Sequence, residues 1–170
     1  YIYQVRRAEF DKLLLDNSRR LGAEVREEVR VTNVVLNKGQ RPRITAVDEK
    51  GSKTEWLPRF LVDATGRDTL LSGQLGLKRI DKQNNTAAVF GHFRNVPRRP
   101  GDKAGMITVY LFDHGWFWFI PLKDGVTSVG AVVWPYYMKA RDKPVRDYFM
   151  DTIAMCPALQ QRLANAELVE

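Results

Sequence analysis

The sequence predicts an α/β piece over residues 1–80 followed by an α+β piece over residues 81–170, the second an antiparallel sheet backed by helices. Three observations carry that expectation. A helical repeat opens the chain and gives way to short β-rich runs punctuated by turn residues. From Thr86 onward the runs lengthen and fill with β-branched and aromatic residues. Tight turns join most of these later runs, and a tight turn returns a strand antiparallel, since parallel pairing needs a long crossover.

Residues 7–21 read as an amphipathic helix. Phe10, Leu13, Leu14 and Leu21 fall near one face, and Gly22 suits the position just past a helix end. Residues 29–36 and 43–47 read as strands, with Asn37-Lys38-Gly39 and Lys50-Gly51 supplying the turns. Residues 56–62 form an apolar run, read as a returning strand. It stops at Asp63-Ala64-Thr65-Gly66-Arg67, too small and polar to continue it. Residues 70–75 are one or two helical turns closed by Gly76. Four longer strands are expected at 87–96, 106–112, 116–122 and 126–134, the last three joined through Asp113-His114-Gly115 and Lys123-Asp124-Gly125. Two helices follow. Val145, Tyr148, Phe149 and Ile153 make the stripe of the first; Pro157 opens the second, with Leu159 and Leu163 on its inner face.

Composition narrows the function classes. The 170 residues are 44% hydrophobic and include 8 Phe, 6 Tyr and 4 Trp, enough for a sizeable core. The longest apolar stretch, residues 115–122, is far short of the roughly 20 residues of a membrane-spanning helix. A single cysteine, Cys156, excludes an intrachain disulfide and a multi-cysteine metal site and fits a reducing, cytoplasmic setting; no metal site is expected. The net charge of +7 favours an anionic partner, but it is spread thinly. Its one dense cluster, Arg94, Arg98, Arg99 and Lys103, lies in a Pro/Gly-rich loop, which could attract a phosphate such as a carrier-protein arm or simply be solvated. No zinc finger, helix-turn-helix spacing or aromatic RNA-binding consensus is present, so nucleic acid is not the expected partner. The chain starts at Tyr1 without a signal-peptide pattern and stops at Glu170 just after a helical run, so both ends read as cuts through a longer protein.

Two segments carry chemistry. The apolar run ending at Asp63 releases a carboxylate where α/β sheets collect ligands, and Gly66 three residues on permits close backbone approach. A carboxylate there can accept hydrogen bonds from ribose hydroxyls; the plainer alternative is that Asp63 caps the short helix after it. In Gly115-Trp116-Phe117-Trp118-Phe119-Ile120-Pro121, strand alternation sends Trp116, Trp118 and Ile120 to one face and Phe117 and Phe119 to the other. Two indoles on one face form a rigid wall able to border a flat ring system; the alternative is a strand buried on both faces. A catalytic histidine is not expected at His92, within a strand, or at His114, in a turn, and Cys156 reads as a packing residue.

The Trp-x-Trp-x-Ile-Pro pattern at Trp116, Trp118, Ile120 and Pro121 resembles the signature of flavin-dependent halogenases. Arg7-Ala8-Glu9-Phe10-Asp11, followed by Leu14, resembles the helix start of that family. Val62-Asp63-Ala64-Thr65-Gly66-Arg67 is similar to the second FAD fingerprint of the wider group-A flavin monooxygenase and geranylgeranyl reductase-like superfamily. The resemblance covers nearly the whole chain, and only the tryptophan pattern points to halogenases in particular.

The resemblance implies that residues 1–80 are part of a Rossmann-like FAD-binding domain and residues 81–170 the substrate-domain sheet with its C-terminal helices. It implies FAD as cofactor, with Arg7 near the dinucleotide, Val31 offering backbone hydrogen bonds to the adenine, and Asp63 with Gly66 on the ribose or pyrophosphate side. Trp116 and Trp118 would stand between flavin and substrate. In that family, reduced FAD and oxygen turn halide into hypohalous acid, which travels through a tunnel to an electron-rich ring; the tryptophan wall keeps the substrate from being hydroxylated at the flavin. The glycine-rich pyrophosphate loop is not in this sequence, and the family's essential lysine belongs upstream of the Arg7 helix. The chain by itself is therefore expected to be inactive. The implied partners are an aromatic small molecule of phenol or pyrrole type, free or tethered to a carrier protein, and a separate flavin reductase. The alternatives are a flavin monooxygenase or geranylgeranyl reductase-like oxidoreductase, and a basic binding module without redox chemistry.

Overall fold

Helix α1 (Arg7–Arg20) contains no Gly or Pro and is fixed locally at both ends. Arg7 reaches one turn along to Asp11 with both arms of its guanidinium, and Arg19 and Arg20 sit in the last turn, where cations complement the helix dipole. Its apolar stripe does not become core: Phe10, Leu13 and Leu14 are exposed and the helix buries no residue. The computed structural model describes residues 4–79, 81 and 84–169. Its contacts group Leu14–Ile80 into one unit and Tyr1–Leu13 with Asp81–Glu170 into another. The junction expected at residue 80 lies outside the described residues.

In the Leu14–Ile80 unit, β1 (Val29–Val35), β2 (Arg43–Asp48) and β3 (Lys53–Trp56) form an antiparallel meander in that order. The β2–β3 turn is tied by the Asp48 carboxylate, which accepts the backbone N–H groups of Lys50 and Ser52 at 2.9 and 2.8 Å. A bulge at Thr32 breaks the β1–β2 register between Val31 and Asn33. The returning strand falls earlier than the apolar pattern predicts. It pairs at Lys53–Trp56, whereas residues 57–65 carry no ladder. Pro58 lacks the N–H a ladder needs, and among the described residues no strand lies beside Phe60 and Val62, which are 85% and 84% exposed. A 3₁₀ turn (Gly66–Asp68) and helix α2 (Leu70–Gln74) follow, close to expectation.

The other unit is built on a five-stranded sheet. Its strands are β4 (Ala87–Arg94), β5 (Thr108–Phe112), β6 (Gly115–Pro121), β7 (Thr127–Val133) and β8 (Glu167–Leu168), in spatial order β5-β6-β7-β4-β8. Every pairing is antiparallel, which the tight turns require for β5–β6 and β6–β7. Alternation splits the sheet into two unlike faces. Phe93, Phe117, Phe119, Val129, Ala131 and Val133 point to one side and are buried there. Against them pack Tyr148, Phe149 and Ile153 of α4 (Val145–Ala154) and Leu159 of α5 (Pro157–Arg162). Each such aromatic or aliphatic side chain contributes up to about 2–3 kcal/mol by leaving water. Arg162 closes the far end: its guanidinium lies 3.8 Å over the Phe119 ring and donates to Thr108 Oγ1 and Tyr110 Oη at 3.2 and 3.0 Å. Helix α3 (Pro135–Lys139) and β8 are too short for any periodicity to announce them.

Candidate functional site

The second face of the five-stranded sheet is open, and the tryptophans of β6 lie on it. Phe117 and Phe119 are buried while Trp118 is half-buried and Trp116 is exposed, so the strand is not buried on both faces. Trp118 opposes Val109 on β5 and Gly130 on β7; Gly130 in turn opposes Phe90 on β4. Its indole Nε1 donates to Ser128 Oγ at 3.1 Å. Phe90 lies 6.1 Å from it between ring centres, and Trp116 stands edge-on at 6.4 Å. Two indoles and a phenyl thus make one aromatic band across three strands.

A hollow of about 610 Å³ opens beside this band. The sheet supplies Phe90, His92, Trp118, Ile120 and Ser128, Arg7 comes from the first residue of α1, and Arg6 from just before it. A mostly apolar wall with a few placed polar groups is the usual make-up of a small-molecule site. Arg7 is held by the fork to Asp11, with Nε–Oδ1 at 3.1 Å and Nη2–Oδ2 at 3.0 Å. Asp11's hydrogen bonds, and then its charge, push the Arg7 pKa up further, and the guanidinium, a cation in any case, stands at the hollow's edge. The Arg and Asp of the Arg-x-x-Phe-Asp pattern are therefore partners one helical turn apart.

A second, smaller hollow of about 160 Å³ belongs to the Leu14–Ile80 unit, and Val31 and Asp63 both line it. Asp63 organises the loop after the apolar run. Its Oδ1 accepts from the Thr65 backbone N–H at 3.0 Å and the Thr65 hydroxyl at 2.6 Å, and its Oδ2 accepts from the Leu71 N–H at 2.8 Å in the first turn of α2. The plainer reading of Asp63 as a cap is thus realised. The carboxylate remains exposed, and with about four acceptor positions it keeps room for a ligand donor. The Thr65 hydroxyl, followed by the Leu71 and Thr65 N–H groups, lowers its pKa. Gly66 takes φ +61, a left-handed turn that favours glycine, and nothing would crowd a Cβ there. Thr69 adopts φ +49, unusual for a β-branched residue, and its buried Oγ1 has no hydrogen-bond partner. An exposed carboxylate beside a tight glycine turn can accept a hydrogen bond from a hydroxyl-bearing ligand.

The structure brings Arg7 and Trp118 to one hollow and Val31 and Asp63 to another; Trp116 and Gly66 stand beside these walls without lining them. Thr69, Ser128 and Gly130 were not singled out by the sequence. Their signals are a backbone angle and cross-strand neighbours, which no local spacing encodes. His114 is confirmed in a turn, where its Nδ1 lies 3.0 Å from Tyr136 Oη and its ring stacks on Tyr137 at 4.5 Å. Cys156 is a buried free thiol in the helical core.

Residues 1–162 match the family described as tryptophan halogenase. The chain belongs to that family. Among solved halogenases, CmlS, described as flavin-dependent, superimposes with a TM-score of 0.92 at 34% identity, covering 98% of this chain and 30% of that one. The myxobacterial chondrochloren halogenase CndH, described as FAD-dependent, gives a TM-score of 0.83 at 34% identity over 99% of this chain and 38% of that one. A curated halogenase relative, the 1H-pyrrole-2-carbonyl-(peptidyl-carrier protein) chlorinase of Pseudomonas fluorescens, is 29% identical over 99% of this chain and 39% of its own length. The chain therefore spans between a third and two fifths of the length of such curated halogenases. Among the described residues no helix is long and apolar enough to cross a membrane, and no cluster of three or more His, Cys, Asp or Glu is placed to hold a metal.

Proposed function

We propose that this chain is the central part of an FAD-dependent halogenase acting on an electron-rich aromatic ring of phenol or pyrrole type. The observation that carries the proposal is the indole of Trp118 laid along an apolar hollow that also receives the Arg7 cation. Asp63 would hold the ribose or pyrophosphate side of FAD, Val31 would offer backbone groups to the adenine, and Gly66 would admit the close approach. FAD, when bound and reduced, supplies the oxygen chemistry that oxidises halide. Around it, Arg7 holds positive charge at the hollow, Ile120 and Phe90 keep the hollow apolar, and Trp118, with Trp116 beside it, partitions the cofactor side from the substrate.

The carrier-bound pyrrole named for the Pseudomonas fluorescens relative supports a tethered substrate here. A separate flavin reductase and a cytoplasmic setting complete the proposal. The test uses the full-length protein with FAD, a flavin reductase, oxygen, and chloride or bromide on phenol and carrier-bound pyrrole substrates. Halogenated product, identified by isotope pattern in mass spectrometry, is the expected result. Hydroxylated or reduced product alone would instead place the protein with monooxygenases or geranylgeranyl reductase-like enzymes. An apoprotein that takes up no flavin would point to a binding module.

A further inference from the structure

An aromatic side chain on an open sheet face ordinarily stands away from the strands. Trp118 does not. A Cβ built on Gly130 would lie 2.2 Å from Trp118 Cζ2 and 2.5 Å from Cε2 and Cη2, so the benzo ring lies flat over the backbone of β7. Gly130 opposes both Trp118 and Phe90 in the sheet register, and the flattened ring bridges the gap between them. Ser128, two residues back on the same face of β7, accepts the indole N–H at 3.1 Å. Glycine thus sets the height of the ring and serine its rotation. Both Trp118 and Ser128 line the large hollow, so a ring lifted off β7 would stand in it.

We propose that Gly130 and Ser128 are positioning residues that seat the Trp118 indole flat and thereby keep open the passage between the cofactor side and the aromatic substrate. The passage rests on the halogenase reading; the seat itself rests on geometry alone. A methyl at position 130 cannot coexist with the ring where it lies, so the indole lifts into the hollow and loses its serine partner. Phe at 118 lacks the second ring and the N–H, so in that background residue 130 no longer matters.

The test uses the full-length protein labelled with 5-fluorotryptophan, the Trp118 fluorine signal being assigned by its loss in Trp118→Phe. Gly130→Ala and Ser128→Ala shift the Trp118 signal, Ser128→Thr restores it, and the Trp56 and Trp134 signals stay in place. In the halogenation assay, Gly130→Ala lowers halogenated product per reduced flavin consumed by about tenfold with the aromatic KM changed by less than about twofold. The same substitution in Trp118→Phe has no further effect. An unmoved Trp118 signal in both Gly130→Ala and Ser128→Ala overturns the seat. An equal loss of product in the Trp118→Phe background overturns the passage. If the unmodified protein yields no halogenated product, the halogenase reading and the passage fail together, while the fluorine signals still decide the seat.

Discussion

Asp63 draws three donors from its own loop and remains exposed, so its charge has a structural use, and the proposed FAD contact would be a second one. Its lowered pKa fixes the sign of its pH effect. The folded form prefers the carboxylate, so the stabilisation is fully present above the ordinary value of about 3.9. It is lost as pH falls through the lower folded value. In Asp63→Asn that acid-side loss should disappear, and FAD affinity in the full-length protein should weaken about tenfold, read by flavin titration. Unchanged affinity would confine Asp63 to capping. Thr127 is the opposite case: it is fully buried on β7 with no partner for its hydroxyl. Thr127→Val, of nearly the same shape, should leave stability unchanged or raise it by about 1 kcal/mol in thermal unfolding. Asp63 and Trp118 were legible in the sequence because the end of an apolar run and the alternation of a strand are local signals. Thr69, Ser128 and Gly130 were not, because their significance comes from φ and from partners on neighbouring strands.

The β5–β6–β7 hairpins were readable because Asp113-His114-Gly115 and Lys123-Asp124-Gly125 leave only antiparallel returns. The place of β4, beside β7 rather than at an edge, was not readable, since a non-local pairing leaves no periodic trace. Residues 56–62 have a strand's composition without a strand's partner, and composition alone cannot distinguish the two. The terminal helices show how far an apolar stripe can be trusted. Val145 belongs to the apolar stripe of α4 and Leu159 to the inner face expected of α5, yet Leu159 is fully buried and Val145 is about half exposed. Leu159→Ala should therefore destabilise the protein by about 3 kcal/mol, and Val145→Ala by less than about 0.5 kcal/mol, in denaturant unfolding of the full-length protein. Equal costs would mean that α4 and α5 pack differently from the arrangement described.

The net charge of +7 suggested an anionic partner, but its densest cluster has a partly internal use. Arg98 donates to the carbonyl oxygens of Leu122 and Val126, clamping the β6–β7 turn that carries the tryptophan strand. Arg98 thus helps to hold the turn at the end of the tryptophan strand. The aromatic face, formed by Trp118 and Trp116 beside the hollow with Arg7, is the centre of the functional account. An indole touching an isoalloxazine donates an electron to the excited flavin and shortens its fluorescence lifetime, whereas a phenyl ring does not. The most direct measurement is the flavin lifetime in the FAD-loaded full-length protein and its Trp118→Phe, Trp116→Phe and Trp134→Phe variants. A severalfold longer lifetime in Trp118→Phe, with Trp134→Phe unchanged, is the expected result. A lifetime indifferent to both Trp116 and Trp118 would contradict the account.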